Sequence, residues 1–367
     1  MYQNEQRKRE FLEHLKGAKG FAESSLNSIA EAIDQWQTFS ENEDFSKFNK
    51  SSALAFRDWL KSRKANTETG TISLTTQDNY LRRIKKFFKW LSDQPGYKSK
   101  VLKNDVEFLR LSRGDARIAR QRTTKPMPTL EEAKTIIESI EIKNEIDRRD
   151  RAVICFTLIT GMRVSAVASL RMKSVDMKKE LIDQNPADGV KIKNSKRILT
   201  TFFPIGWDKP ERYFIAWYEH LKSKGFQPND PVFPVTMNSL NAEKREYSKE
   251  FVGRDFWSDA GGVRKIFKKR CENANTQHFT PHSFRHLVVS TLGKENQLTE
   301  EQKRAISLTL GHARVGTTFG SYGYGSMTAE KAVEIVQELK NHQNDKESFI
   351  LSEEERIVLR RVMERML

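Results

Sequence analysis

The chain has 367 residues, enough for two domains, and carries 64 lysine and arginine side chains against 49 aspartate and glutamate, a net charge of +15. This excess predicts a polyanionic partner, although charge alone does not distinguish DNA from RNA or an acidic membrane surface. The two cysteines lie in unrelated contexts, which argues against a disulfide framework or a cysteine metal site. The first residues do not form a signal-peptide pattern and no apolar run reaches membrane-spanning length, so we expect a cytoplasmic protein without a membrane partner.

Residues 1–110 show the apolar spacing of a helical domain. Two stripes recur at helical spacing: Leu26, Ile29, Ile33 and Trp36, and then Leu81, Ile84, Phe88 and Leu91. Five cations surround the second stripe: Arg82, Arg83, Lys85, Lys86 and Lys89. A solvated face on a core helix is one interpretation. Five charges of one sign in a short segment instead favour contact with nucleic-acid phosphates, which we expect of the first four.

Residues 111–128 are predicted to be a basic linker between two domains. The cations of this stretch and its border are Arg110, Arg113, Arg117, Arg120, Arg122 and Lys125, and two prolines close it. Residues 51–125 together carry 18 basic and 7 acidic side chains, so most of the excess charge lies in about a fifth of the chain. A disordered tether is one interpretation, but we favour a strap along phosphates, with Arg117, Arg120 and Arg122 as candidate contacts.

The second domain is predicted to begin at Thr129, where Glu132 completes a capping-box pattern for a helix running to about Ile140. Residues 151–160 form an apolar helical segment that ends at Gly161. Residues 190–192 and 198–205 are rich in β-forming side chains, with turn residues at 194–195. Further helices are predicted at 263–270, 283–293 and 329–340. The expected fold class is mainly α with a small antiparallel β-sheet.

Five residues of the second domain have the chemical types that suit phosphodiester chemistry: Arg163, His282, Arg285, His312 and Tyr322. Arginines can hold phosphate oxygens, histidines can move or orient protons, and a tyrosine can form a covalent link. A His-x-x-Arg spacing puts both side chains on one face of a helix. Taken alone, each residue has a structural alternative, such as an arginine that caps carbonyls. Their combination favours attack by a phenol on a phosphodiester.

The order Arg, Lys, His-x-x-Arg, His, Tyr resembles that of the tyrosine recombinase and phage integrase family. The resemblance covers residues 128–340 by motif and the N-terminal third more loosely. It implies a helical DNA core-binding domain at 1–110, the basic linker at 111–128, a tyrosine recombinase catalytic domain at 129–345 and a C-terminal helix at 346–367. The family usually carries an acidic residue three positions after the first arginine, and here that position is Ala166.

The resemblance also selects the lysine and the nucleophile. The family places a catalytic lysine eight residues before a proline, which here selects Lys196, with Lys193 and Lys191 as neighbouring alternatives. The family's tyrosine follows its last histidine by nine or ten residues. Tyr322 stands at ten and Tyr324 at twelve, so we expect Tyr322 to be the nucleophile.

The implied function is that of a site-specific DNA recombinase or integrase, which cleaves and rejoins double-stranded DNA through a 3′-phosphotyrosine. The two arginines, Arg163 and Arg285, would hold the non-bridging oxygens of the scissile phosphate. Lys196 would protonate the leaving 5′-oxygen. His282 would help to remove the tyrosine proton, and His312 would donate a hydrogen bond to the phosphate.

The resemblance further implies that neither a metal ion, ATP nor any other cofactor takes part. It implies a homotetramer on DNA, with accessory DNA-bending proteins as further candidates and association with the nucleoid. The segment 346–367 fits a helix that docks on a partner, or one that packs on its own domain. Two alternative functions use the same residue types: a relaxase like the type IB topoisomerases, and a DNA-binding protein that has lost catalysis.

Overall fold

The computed structural model describes residues 2–64, 70–120, 126–241, 246–295, 298–312 and 315–319. The chain divides into two compact units, Met1–Thr123 and Thr124–Leu367, each with its own apolar core. The segments 329–340 and 346–367, for which we predicted helices, lie outside the described residues. Within the described ranges, no helix combines the length and the apolar character needed to cross a membrane.

The described part of the first unit is a bundle of six helices: α1 (Tyr2–Gly17), α2 (Glu23–Phe39), α3 (Lys50–Ser62), α4 (Leu74–Leu91), α5 (Lys103–Val106) and α6 (Arg113–Arg120). Both predicted apolar stripes are buried, on α2 and α4 respectively. Their aromatic rings form the centre of the core, where Trp36 and Phe88 meet edge to face with ring centroids 4.8 Å apart. Ser73 caps the N-terminus of α4 by accepting a hydrogen bond from the Thr76 N–H.

The segment predicted as a linker begins inside this bundle. Arg113–Arg120 form α6, which packs against α4, and the Thr75 hydroxyl donates to the Ala119 carbonyl at 3.1 Å. Ala116 and Ala119 rest on the core, so the two small side chains let the helix lie close to α4. The first unit therefore extends to Thr123, past the boundary expected at residue 110.

The second unit combines eight helices with two small antiparallel sheets in its described part. The helices are α7 (Leu130–Glu138), α8 (Glu145–Thr160), α9 (Val164–Val167), α10 (Lys209–Ser223), α11 (Gly261–Asn273), α12 (Pro281–Glu295), α13 (Glu300–Thr309) and α14 (Val315–Thr318). The strands are β1 (Val175–Asp176), β2 (Leu181–Gln184), β3 (Ile198–Thr201), β4 (Thr236–Asn241) and β5 (Glu246–Val252). Strands β1, β2 and β3 form one sheet in that order, and β4 pairs with β5. The expected fold class, mainly α with a small antiparallel sheet, is confirmed.

Helix α8 is the centre of the second unit, because all its residues from Ala152 to Thr160 are buried and α10 and α12 pack on it. It begins at Glu145, earlier than predicted, since Asn144 caps its N-terminus. It ends at Gly161, as predicted, and this glycine has a φ of +57°. The capping box of Thr129 and Glu132 at the start of α7 is also confirmed.

The predicted strand at 190–192 is wrong. These residues belong to the long connection between β2 and β3, which pair in the register Gln184 with Ile198. Gly189 turns the chain with a φ of +81°, and the Lys191 N–H then donates to the Ser169 hydroxyl at 2.7 Å instead of to a strand. Strand β3 is also shorter than the predicted 198–205. Helix α10 and the β4–β5 hairpin were not predicted.

Candidate active site

Arg285 is the central side chain of the candidate site. It lies on α12 and is only 1% exposed. Its Nη1 donates to the Gly161 carbonyl at 2.5 Å, and its Nη2 donates to the Leu310 carbonyl at 2.5 Å. The same Nη2 lies 2.8 Å from Nε2 of His312. One guanidinium therefore ties together the C-terminal ends of α8 and α13.

Two glycines allow these ends to approach so closely. A Cβ atom on Gly161 would lie 2.8 Å from Leu310 Cδ2. Gly311 has a φ of +70°, and a Cβ atom there would lie 2.3 Å from Ile198 Cδ1 and 3.2 Å from Arg163 Nη1. Both positions require glycine because of the left-handed backbone and the lack of space. The turn at Gly311 thus brings β3 and Arg163 to the same place.

Arg163 precedes α9 and stands beside this turn. Its Nη2 lies 3.5 Å from the Gly311 carbonyl, and the side chain remains partly exposed. Ala166, at the position where the family usually has an acid, is 1% exposed and packs in the core. It brings no carboxylate to the arginine. The structure therefore brings together Arg163, Arg285 and His312.

His312 is a buried, neutral histidine. It is 5% exposed, and its Nδ1 lies 2.8 Å from the Thr318 hydroxyl on α14. Burial, together with the positive charges of Arg285 and Arg163, lowers the pKa of His312 to about 3. Its imidazole is uncharged at neutral pH. In the sequence, Thr317 and Thr318 match a common form of the family's motif, but the contact of Thr318 with His312 was not predicted.

His282 is exposed at the start of α12, one turn before the buried Arg285. Its ring meets that of His286 edge to face, with centroids 4.9 Å apart. A proton on His282 would lower the pKa of His312, so the two rings interact electrostatically. This side chain therefore lies at the solvent side of the buried Arg285–His312 pair.

Two lysines of the β2–β3 connection are candidates for the general acid. Lys196 has an extended backbone directly before β3, with φ −97° and ψ 121°. By strand alternation its side chain leaves on the face of Ile198, which lies against Gly311. Arg197 leaves on the opposite face and pairs with Asp183 at 2.6 Å. The charge of Lys193 lowers the pKa of His312, which makes Lys193 a neighbour of the site as well.

Tyr322 and Tyr324 lie outside the described residues, so the choice of nucleophile stays a prediction. The described chain reaches Phe319, after α14 has brought Thr318 to His312. Within the described ranges, no three His, Cys, Asp or Glu side chains are grouped so that they could hold a metal ion.

The first unit carries a separate candidate surface, a groove of about 890 Å³ bordered by α3, α4 and α6. Seven cations line it: Arg57, Arg82, Lys85, Arg110, Arg113, Arg117 and Arg120. A second groove of about 530 Å³, between α2 and α4, is lined by Arg82, Arg83 and Lys86. Arg57 was not predicted. Arg122 lies outside the described residues.

Some of the predicted cations on α4 already have partners. Lys85 pairs with Glu107 at 2.6 Å, and this contact and that of Lys89 lower the pKa of Glu107 to about 2. The Lys86 ammonium lies 3.8 Å from the centroid of the Phe21 ring. The exposed arginines of α6 add further cations to those of α4.

The second unit is mainly α-helical, and two turns at glycines bring two arginines and a histidine together in it. These features agree with those of the family that the sequence resembles. The model of the phage integrase family matches residues 128–329, more than half of the chain. The chain belongs to the phage integrase family, the family of the tyrosine recombinases.

Among its relatives is the tyrosine recombinase XerC of Bacillus pumilus (strain SAFR-032), 23% identical over 313 residues that cover 84% of this chain and 88% of the relative. XerC of Bacillus subtilis (strain 168) is 22% identical over 309 residues, with coverage of 84% and 88%. A lambda integrase dimer bound to a COC′ core site has a similar fold, with a TM-score of 0.60, 12% identity and coverage of 88% and 95%. The Tn1549 transposon integrase in complex with transposon right end DNA has a TM-score of 0.58, 14% identity and coverage of 91% and 98%.

Proposed function

We propose that this chain is a site-specific DNA recombinase that cleaves and rejoins DNA through a phosphotyrosine. The observation that carries the proposal is the buried Arg285, held by two backbone carbonyls beside Arg163 and His312. The two carbonyl groups and the His312 ring orient the guanidinium. Such a preorganised cation stabilises the charge that develops on a phosphate in the transition state.

In the proposed reaction the Tyr322 phenolic oxygen bonds to phosphorus, and the bond from phosphorus to the 5′-oxygen breaks. Arg163 and Arg285 hold the non-bridging oxygens. The exposed imidazole of His282 accepts the phenolic proton, which is needed because a free phenol has a pKa of about 10. Lys196 delivers a proton to the leaving 5′-oxygen. A 5′-hydroxyl from another strand then reverses these steps.

Double-stranded DNA is the proposed partner. The two grooves of the first unit support this because they present seven cations along one path and three along another. Arginine and lysine contacts to phosphates supply most of the affinity of DNA-binding proteins. The similar lambda and Tn1549 integrase structures are also complexes with DNA. Exchange between two duplexes requires four such sites, so we propose a homotetramer on DNA.

The test of this function is covalent trapping on a suicide DNA substrate, nicked so that the strand next to the cut is lost. Wild-type protein should form a covalent protein–DNA adduct, and Tyr322→Phe should form none while still binding the DNA. The matched control is Tyr324→Phe, which should form the adduct. An adduct in Tyr322→Phe but not in Tyr324→Phe would exclude Tyr322 as the nucleophile.

The same substrate separates the alternatives. A DNA-binding protein without catalysis forms no adduct in any variant. A relaxase forms the adduct and removes supercoils but gives no recombinant joints when two sites are offered. Recombinant joints that depend on Tyr322 are the expected result.

A further inference from the structure

The hydrogen bonds around His312 fix which of its nitrogens carries the proton. A guanidinium has only donors, so the Arg285 Nη2 that lies 2.8 Å from Nε2 must donate to it. Nε2 is therefore an acceptor. A neutral imidazole then holds its single proton on Nδ1, and this N–H donates to the Thr318 hydroxyl at 2.8 Å.

This tautomer cannot perform the role that the family resemblance implies for His312, which is to donate a hydrogen bond to the phosphate. To donate a hydrogen bond to a phosphate oxygen from the open side of the site, the ring must carry its proton on Nε2. A neutral ring with that proton presents a lone pair on Nδ1. Thr318 is fully buried, so the group facing Nδ1 must then be able to donate as well as accept.

A threonine hydroxyl meets this requirement, since it has one donor and two acceptor positions and can rotate. We propose that Thr318 is a positioning residue that pairs with His312 in both tautomers, accepting from Nδ1 in the free protein and donating to Nδ1 when DNA is bound. The inference rests on the proposed function. The scissile phosphate replaces Nε2 as the acceptor for Arg285, and Nε2 then donates to that phosphate.

The exchange balances without a change of charge. On DNA binding the imidazole takes a proton from water at Nε2 and releases one from Nδ1, while the Thr318 O–H turns towards Nδ1. One proton stays on the ring throughout. Helix α14 fixes the threonine for this purpose, because it packs against α13, whose C-terminal end leads to His312.

The first experiment reads the tautomer directly. The full chain is labelled with ¹⁵N in its histidine rings, and the His312 signals are assigned by their loss in His312→Gln. Free protein should show a neutral ring protonated on Nδ1. The Tyr322→Phe variant bound to an uncut DNA site should show a neutral ring protonated on Nε2. An imidazolium, or the Nδ1 tautomer, in the DNA complex overturns the proposal.

The second experiment measures single-turnover cleavage of the suicide substrate. Thr318→Val keeps the shape but removes the hydroxyl, and it should lower the cleavage rate by roughly tenfold to a hundredfold while the DNA Kd changes less than about twofold. Thr318→Ser restores the hydroxyl and should cleave within about threefold of wild type. Thr317→Val is the matched control, since it removes an exposed hydroxyl one residue away, and it should cleave as wild type does.

Equal rates for Thr318→Val and wild type overturn the proposal, and so do equal losses for Thr318→Val and Thr318→Ser. If Thr318→Val fails to fold, the cleavage rate of Thr318→Ser and the spectra of protein with native Thr318 still test the proposal. The proposed function is judged separately by the wild-type adduct. If that adduct is absent, the recombinase proposal fails, and the ring tautomer with and without DNA still tests the role of Thr318.

Discussion

A buried arginine is costly unless its donors are satisfied. The Nη1 and Nη2 groups of Arg285 donate to the carbonyl groups of Gly161 and Leu310, each the residue directly after a helix. These carbonyls belong to helix C-termini, where the partial charge is negative and favours a cation. The two carbonyl groups therefore hold the guanidinium in a fixed orientation at the meeting point of the two helix ends.

The lysine assignment is the sharpest question at the scale of single residues. Lys196→Ala should slow cleavage of normal DNA by roughly 10²–10⁴-fold, the usual range for general acid catalysis. A substrate with sulfur at the 5′-bridging position has a leaving group that needs no proton. Cleavage of that substrate by Lys196→Ala should be nearly as fast as by wild type, in single-turnover assays of both substrates.

Lys193→Ala is the matched comparison, because Lys193 is exposed in the same connection and its charge lowers the pKa of His312. We expect this variant to show a smaller defect that is equal on both substrates. If instead the sulfur substrate rescues Lys193→Ala and not Lys196→Ala, then Lys193 is the acid.

The sequence motif predicted those residues of the candidate site whose chemical types are distinctive. Arg285 and His312 follow from the motif, and the structure brings them into contact with each other. Thr318 could not be predicted in its role, because a threonine gives no signal of the nitrogen it faces after the chain folds. The choice of Lys196 over Lys193 rests on its spacing from a proline and stays a prediction, since both lysines belong to an irregular connection whose path depends on packing.

Among the elements, α6 changes the expected picture of the first unit most. Its exposed arginines, Arg113, Arg117 and Arg120, follow helical spacing and line one groove together with cations of α3 and α4. The sequence showed the charges, but a run of cations closed by two prolines suggested a linker. Packing of two alanines on the core outweighed that weak local signal, as tertiary contacts commonly do for short helices.

The exposed arginines of α6 lead to a prediction of how the affinity for DNA depends on salt concentration. The triple variant Arg113→Gln, Arg117→Gln, Arg120→Gln should weaken binding to DNA of any sequence and reduce the log–log slope of affinity against salt by roughly one unit for each lost phosphate contact. The slope is measured by titrations at several salt concentrations.

A control variant removes three lysines of the same unit that do not line the groove: Lys98, Lys100 and Lys103. It lowers the net charge by the same amount, so it should change the slope much less. Equal slopes for the two triple variants would mean that only overall charge matters and that α6 is a solvated helix.

At the scale of the whole molecule, the long apolar patterns were predictable and the irregular connections were not. The stripes on α2 and α4 and the run in α8 became the buried centres of the two units because each has a clear helical period. The prediction was wrong for the connection after β2. Residues 190–192 are β-branched and basic, but Val190 packs in the core and the Lys191 N–H donates to the Ser169 hydroxyl. Short apolar runs are ambiguous without their tertiary partners.

The buried His312 should make the stability of the second unit depend on pH. Its pKa is about 3 in the folded protein, against about 6.5 for an unperturbed histidine, so the unfolded chain binds more protons below that value. The folded unit therefore has its full stability above about pH 6.5 and loses stability as the pH falls towards 3. Between pH 7 and pH 5 we expect His312 to account for a loss of about 2 kcal/mol.

Both cysteines, Cys155 and Cys271, are fully buried in the second unit, so thiol labelling in urea reports the unfolding of that unit alone. The free energy of unfolding from this labelling should fall by about 2 kcal/mol more in wild type than in His312→Gln on going from pH 7 to pH 5. His278→Gln removes an exposed imidazole of the same unit and should keep the wild-type dependence. If wild type and His312→Gln lose the same stability, the ring does not remain neutral in the folded protein, because a group that titrates alike in both states contributes nothing to this difference.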